Sequence, residues 1–315
     1  MSTPDLQVTR SRADVLHGPT LGTRLRRVRA VAGNALGELY KSKTALLGAT
    51  MLVILIALCI LTPYIARYDP IKTNYRIRLQ PPSEAHYFGT DRFGRDVYSR
   101  VLWAGRRLVS IAVLSVGIAL LLGVPLGILS GYYGGWTDTL VMRFVDGLLA
   151  FPGLLLYLLF VTLAKEWKLE GIWVDVVLIM ALAIAAMPEF ARLSRGTALT
   201  ERQKEYVEAA QVMGEAGFRT AMAQIFPNCV SPLIVNATVR LGFVILIVAA
   251  LSYLGLGTPP PTPDWGSDLR AAQDQMETIP MLAVFPGLAI CYAVLSFNLF
   301  GDGLRDILDP RTSER

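Results

Sequence analysis

The apolar positions of this chain neither alternate nor follow an amphipathic stripe; they gather into six long blocks separated by polar stretches. Residues 45–61, 108–131 and 281–300 contain no charged side chain. Residues 147–164 follow Asp146 and hold Pro152 near their start. Residues 172–187 carry one acid, Asp175, near one end, and residues 233–257 carry Arg240 in their first third. A helix needs about 20 largely apolar residues to cross a bilayer core. The pattern therefore predicts six transmembrane helices in an all-α, polytopic membrane fold. Continuous apolar runs exclude a barrel wall, which requires alternation. Within the second block, Gly117, Gly123 and Gly127 suit close helix packing. Asp175 and Arg240 lie toward block ends, where a polar side chain is expected to snorkel to the interface. No buried series of Asp, Glu, Lys or His is expected inside the spans.

Six crossings put both termini on one side. With the termini in the cytoplasm, inner segments hold 17 Lys and Arg and outer segments 12, a modest bias in the usual direction. The predicted organisation begins with a cytoplasmic N-terminal tail at 1–43, then a first transmembrane helix and extracytoplasmic loop at 44–107. A transmembrane domain follows at 108–303, with a cytoplasmic loop at 188–231, and a cytoplasmic C-terminal tail closes the chain at 304–315. Inside that loop, residues 202–216 are rich in Glu, Gln, Ala, Lys and Met, with no Pro and one Gly, and read as helix. Residues 258–263, Thr-Pro-Pro-Pro-Thr-Pro, suit neither a helix nor a central strand and are expected to run extended.

Composition agrees with a membrane class: 53% of the 315 residues are hydrophobic and 17% charged, with a mean hydropathy of +0.45. The net charge of +5 fits Lys and Arg on cytoplasmic segments, and no basic stripe with interleaved aromatics argues for nucleic acid. Cys59, Cys229 and Cys291 form no CxxC pair, and the histidines are His17 and His86, so neither a metal site nor a disulfide framework is expected. The Arg-rich first 43 residues lack the apolar core and cleavage site of a signal peptide. No GxxxxGK[ST] occurs, so the chain binds no ATP through a P-loop. Ser–His–Asp chemistry is implausible with these histidines. The expectation is a conduit with no catalytic, cofactor-binding or metal residue of its own and its energy source elsewhere.

The polar loop supplies that source. Glu205-Tyr206-Val207-Glu208-Ala209-Ala210 leads to Gly214, and Pro227 follows thirteen residues later. This resembles the EAA loop of bacterial ABC importer permeases. Glu208, Ala209 and Ala210 would open a small-residue turn that another protein can approach. Gly214 would turn the chain at positive φ, and Pro227 would stop the next helix before the fifth span. Phe226 stands where the family usually has Leu. The resemblance implies that the short helix docks on an ATPase subunit and passes its motion to the membrane helices; a plain amphipathic connecting helix is the other reading.

Further segments are similar to the dipeptide, oligopeptide and nickel branch of these permeases, of the second-permease type. They include Gly89-Thr90-Asp91, Gly94-Arg95-Asp96, Ser99 and Arg100, then Gly131 to Asp138, Asp146 to Pro152 and residues 252–257. Asp264-Trp265-Gly266, Phe285-Pro286-Gly287, residues 298–306 and 308–311 complete the set, which spans about residues 41–311. In the signature loop, Gly89 and Gly94 would make turns while the acids pair with Arg92, Arg95 and Arg100; direct solute contact is the alternative. The Pro-Trp-Gly segment is a rigid outer loop or a contact for a binding protein. After it, Ser267-Asp268-Leu269 departs from the family's run containing Met-Leu. The resemblance implies the type I ABC importer transmembrane fold in a bacterial inner membrane. It also implies a second homologous permease, two ATPase subunits and a periplasmic or lipid-anchored solute-binding protein. The family's solutes are peptides, nickel chelates, opines and some sugars, with peptides the commonest. A secondary carrier without ATPases would need intramembrane ionisable groups, and a membrane-embedded enzyme a clustered nucleophile, metal set or acid pair.

Overall fold

The computed structural model describes residues 42–169, 171–215 and 217–308; most of the two expected tails lies outside these residues. Helix α1 spans Lys43–Ile65, with the Ser42 hydroxyl accepting from the Ala45 N–H at 3.3 Å. It buries only Ala45, Gly48, Leu55 and Thr62; a helix apolar on all sides with so little cover faces lipid. Helix α2, Val97–Tyr133, is capped by Asp96. Helices α3, Gly135–Leu149, and α4, Gly153–Glu166, meet at a bend of 74°. Then come α5 at Ile172–Arg202, α6 at Glu205–Val212 and α7 at Gly217–Thr220. A π-helical turn at Ala221–Ile225 runs into α8 at Phe226–Tyr253. Helices α9, Trp265–Gln273, and α10, Met281–Leu308, finish the fold.

The core is the seam between α2 and α5, the most extensive helix pairing in the fold. A Cβ built on Gly123 would lie 2.6 Å from the Met187 carbonyl oxygen, on Gly127 2.1 Å from that of Ala191, and on Gly131 2.8 Å from that of Arg195. Small residues one turn apart thus let the two backbones touch. Gly117 does not belong to this seam, since its Cβ would meet nothing within 4 Å. It lies six residues before Gly123, a spacing that turns it off the face shared by Gly123, Gly127 and Gly131.

The seam also fixes the number of crossings. Contacts advance together along α2 and α5, so the two helices run parallel. At one end Arg107 on α2 pairs with Asp175 on α5, Nε to Oδ2 at 3.1 Å. At the other, Asp138 on α3 accepts from Arg195 on α5 at 2.5 and 2.6 Å and from Ser130 on α2 at 2.5 Å. From Asp175 to Arg195 the helix rises about 30 Å, matching a hydrocarbon layer of about 30 Å. Parallel neighbours require the chain between them to return across that layer. The bent pair α3–α4 is therefore a crossing, and with α1, α2, α5, α7–α8 and α10 the described residues make six.

Four expectations change. The third block, 147–164, is broken: residues 147–149 close α3, and Pro152, which lacks an N–H and disfavours helix at Phe151, starts a new axis. The polar loop is not 188–231, because α5 continues through Pro188 to Arg202 and the next rod begins at Gly217. Pro227 stops nothing: it sits in the first turn of α8, and the π turn before it widens the backbone where its ring would strike a regular i−4 carbonyl. Residues 258–263 are non-helical as expected, but they fold through a turn at 260–261 instead of staying extended.

Candidate functional site

Beyond the Arg195–Asp138 pair, α5 runs on to Arg202 and the chain turns back through α6. Val207 and Ala210 point inward and are buried, whereas Glu205, Glu208 and Ala209 are exposed. Ala210 therefore packs on its own subunit and is not part of the outward small-residue turn. Gly214 has φ +78°, its N–H donates to the Gln211 carbonyl at 3.0 Å, and the Glu215 N–H reaches back to Ala210 at 3.1 Å. That double closure is the Schellman end of a helix, which an L-residue opposes at its left-handed position. A Cβ on Gly214 would meet no atom within 4 Å, so the constraint is conformational rather than steric.

The tip is braced on three spans. The Tyr206 hydroxyl donates to Glu201 at the end of α5 at 2.6 Å and accepts from the Asn228 amide at the start of α8 at 3.0 Å. Desolvation, with donation to Glu201, pushes Tyr206 up to about 12, which keeps the hydroxyl protonated as a donor. Gln211 donates to the Tyr132 hydroxyl at the end of α2 at 3.4 Å. The Glu208 carboxylate has no ion pair among the described residues. Val212, one turn on from it, and Met213 and Phe218 farther along the tip are 88%, 81% and 60% exposed. Sequence reading missed these three. For Val212 the signal was in the spacing, since it falls four residues after Glu208 on the same face of α6.

At the opposite end lies the signature loop, most of whose bonds stay within residues 70–100 while Arg92 and Arg100 reach beyond it. Gly89 and Gly94 take φ +77° and +71°, and a Cβ on Gly94 would strike the Asn74 carbonyl oxygen at 1.8 Å. Thr90 is buried, accepts from the Gln80 N–H at 2.9 Å and donates to the Ile77 carbonyl. Asp91 accepts from the N–H groups of Phe93 and Arg95 and from Arg95 Nε at 2.6 Å. Asp96 caps α2 through the Ser99 N–H at 2.8 Å and meets His86 Nδ1 at 2.9 Å. Only Arg95 pairs within the motif as expected. Arg92 reaches Asp274 instead, and Arg100 grips Asp268 on α9 at 2.5–3.2 Å while donating to the carbonyls of Pro70 and Pro261. Asp268 belongs to the run that departs from the family pattern, yet it is the anchor of this corner. Trp265 is buried, its Nε1–H donating to the Val101 carbonyl at 2.8 Å and its ring filling the space a Gly105 Cβ would occupy. Asp264 caps α9, and burial raises its carboxyl above the ordinary range. The Pro-Trp-Gly segment is thus a brace between α2, α8 and α9.

Residues 123–314 match the family described as binding-protein-dependent transport system inner membrane component. Residues 33–82 match the N-terminal TM domain of oligopeptide transport permease C. A glutathione transport system permease protein of Pectobacterium atrosepticum is 39% identical, over 86% of this chain and 88% of its own. A dipeptide transport system permease protein of Alkalihalophilus pseudofirmus is also 39% identical, over 88% and 89%. A glutathione transport system permease protein of Escherichia coli is 42% identical, over 85% and 86%. Membership implies ATPase and solute-binding partners and a place in the membrane. The chain belongs to the binding-protein-dependent transport family and is a multi-pass inner-membrane permease subunit of an ABC importer.

Proposed function

We propose that this permease passes small peptides or peptide-like solutes, and that its α6 tip is the point where ATPase motion enters. Relatives matched along most of their length are named for dipeptide and glutathione transport, which supports the solute class. The working assembly is this chain, a second homologous permease, two ATPase subunits and a periplasmic or lipid-anchored binding protein. The tip faces the cytoplasm, as do both tails, 1–43 and 304–315, while the signature loop faces outward. This subunit performs no chemistry on the solute. One observation carries the coupling role: exposed Val212 one turn from unpaired Glu208, with exposed Met213 and Phe218 following along the chain, at a tip tied by Tyr206 and Gln211 to α2, α5 and α8. An apolar patch at a polar end marks a partner, and the ties carry a push on the tip into three spans.

Gly214→Asp tests it. A left-handed position costs an L-residue roughly 1–2 kcal/mol, too little to unfold six spans, but enough with the added charge to spoil docking. Transport should vanish at normal membrane abundance. Glu208→Ala should reduce ATPase co-purification or leave ATP hydrolysis uncoupled from uptake. A passive connecting loop expects effects within about 0.5 kcal/mol. Normal uptake by Gly214→Asp at normal abundance refutes the coupling role.

A further inference from the structure

Past Pro188, α5 presents Glu189, a residue that sequence reading left in a polar loop. Its neighbours in the seam place it. Met187 lies level with Gly123 and Ala191 with Gly127, so Glu189 is level with Pro125, inside the uncharged run of α2. It stands about 9 Å from the Arg195 level and about 21 Å from Asp175 along α5. Its carboxylate is paired with Arg240 of α8, Nη1 to Oε2 at 3.1 Å, and accepts from the Asn236 amide at 3.2 Å. Arg240 does not snorkel. It lies about 10 Å beyond Leu233 along α8, with its guanidinium over the Phe243 ring at 5.2 Å, one turn farther from the α6 end. A charged pair therefore sits at hydrocarbon depth, where only an interior or water-facing position is tolerated.

Two facts say that the pair is not closed within this chain. The Glu189 side chain is 42% exposed on the surface of the bundle. Arg240 Nε and Asn236 Oδ1 are buried without a hydrogen-bond partner among the described residues, and such atoms call for water or for another arrangement of the cluster. Lipid offers neither. A carboxylate has about four acceptor positions, of which these contacts use two.

We propose that Glu189, held by Asn236 and Arg240, lines the water-filled translocation path and receives the cationic group of the passing solute, an ammonium or guanidinium. The proposal rests on the permease assignment and adds a residue that meets the cargo. Pairing with Arg240 keeps the attraction weak, as a conducting site must release what it binds.

The test uses the complete importer in proteoliposomes, with Cys59, Cys229 and Cys291 replaced by Ser. Glu189→Cys and, one turn along the same cluster, Phe243→Cys are compared with Leu121→Cys, a position 72% exposed on the apolar run of α2. A cationic, membrane-impermeant methanethiosulfonate should modify the first two at least about 100-fold faster than the third, in the resting or the ATP-trapped state. Modification no faster than at Leu121 in both states overturns the proposal, since the face then meets lipid or the second permease. Phe243→Cys decides if Glu189→Cys fails to assemble. In the second arm, Glu189→Gln should lower dipeptide uptake at least about 10-fold with ATPase co-purification unchanged, and Glu189→Asp should restore part of it. Unaltered uptake by Glu189→Gln overturns the contact with cargo. If the unsubstituted importer takes up no dipeptide, the peptide reading fails, and the labelling arm still decides this one.

Discussion

Replacing Gly127 and Gly117 by alanine makes the same chemical change on one helix and should give opposite results. At Gly127 the new methyl would lie 2.0 Å from Ser194 Oγ and 2.1 Å from the Ala191 carbonyl oxygen. Ordinary contact needs about 3.5 Å, so the seam must open by more than 1 Å or twist. Overpacking of this kind costs typically 1–3 kcal/mol, against which alanine's helix preference over glycine returns at most about 1 kcal/mol. The flanking approaches at Gly123 and Gly131 are lost with it, and both end clamps, Arg107–Asp175 and Asp138–Arg195, are pulled out of register. At Gly117 the methyl meets nothing within 4 Å, leaving only the propensity gain. The assay is heat inactivation of the purified importer followed by gel filtration, with uptake measured in parallel. Gly127→Ala should lose assembled material several degrees earlier than the parent, and Gly117→Ala should match or exceed it. Equal stability of the two variants would refute the close α2–α5 seam.

At the opposite corner, Arg100→Leu strands the Asp268 carboxylate; breaking a buried pair costs roughly 3–5 kcal/mol, so membrane abundance should fall sharply, and Asp268→Asn less so. Normal abundance of Arg100→Leu would show that α9 is not held by this pair. Reporter fusions at Arg315 and within residues 165–171 should report opposite sides of the membrane, because α3–α4 is a full crossing followed by α5 and two further spans. The same side for both would remove the six-crossing path.

Much of the architecture was legible because lipid imposes a simple rule on sequence: a block long and apolar enough to cross is hard to build any other way. Four of the six blocks fall within single long rods; the fifth, 233–257, overruns its rod by four residues because α8 ends at Tyr253, and the EAA spacing marks α6 and the positive φ of Gly214. What hydropathy could not show was where a helix continues past the lipid. Helix α5 carries polar residues through Ser194, Arg195 and Glu201 without a break, because Ser194 donates to carbonyls of its own helix while Arg195 and Glu201 find partners on α3 and α6. Apolar length measures the hydrocarbon layer, whereas helix length measures the layer plus everything the helix braces. The same limit hid the bend at Pro152, where one block holds parts of two axes.

Charges were misread for a related reason. Arg240 looked like a snorkelling side chain and Glu189 like a loop acid because each was judged against its own segment. Their meaning depends on a neighbour 51 positions away, at 3.1 Å across two helices. Arg100 and Asp268, 168 residues apart, repeat the pattern. Local rules can say that a charge in an apolar block needs an explanation; only packing supplies the partner. That partner also decides which explanation holds. Arg100, almost fully enclosed and with four of its five N–H donors committed to Asp268 and two carbonyls, is a clamp that holds parts together. Glu189, half open and with acceptor capacity to spare, cannot be explained as a clamp alone, because a clamp gains nothing from facing outward at the depth where water is scarcest.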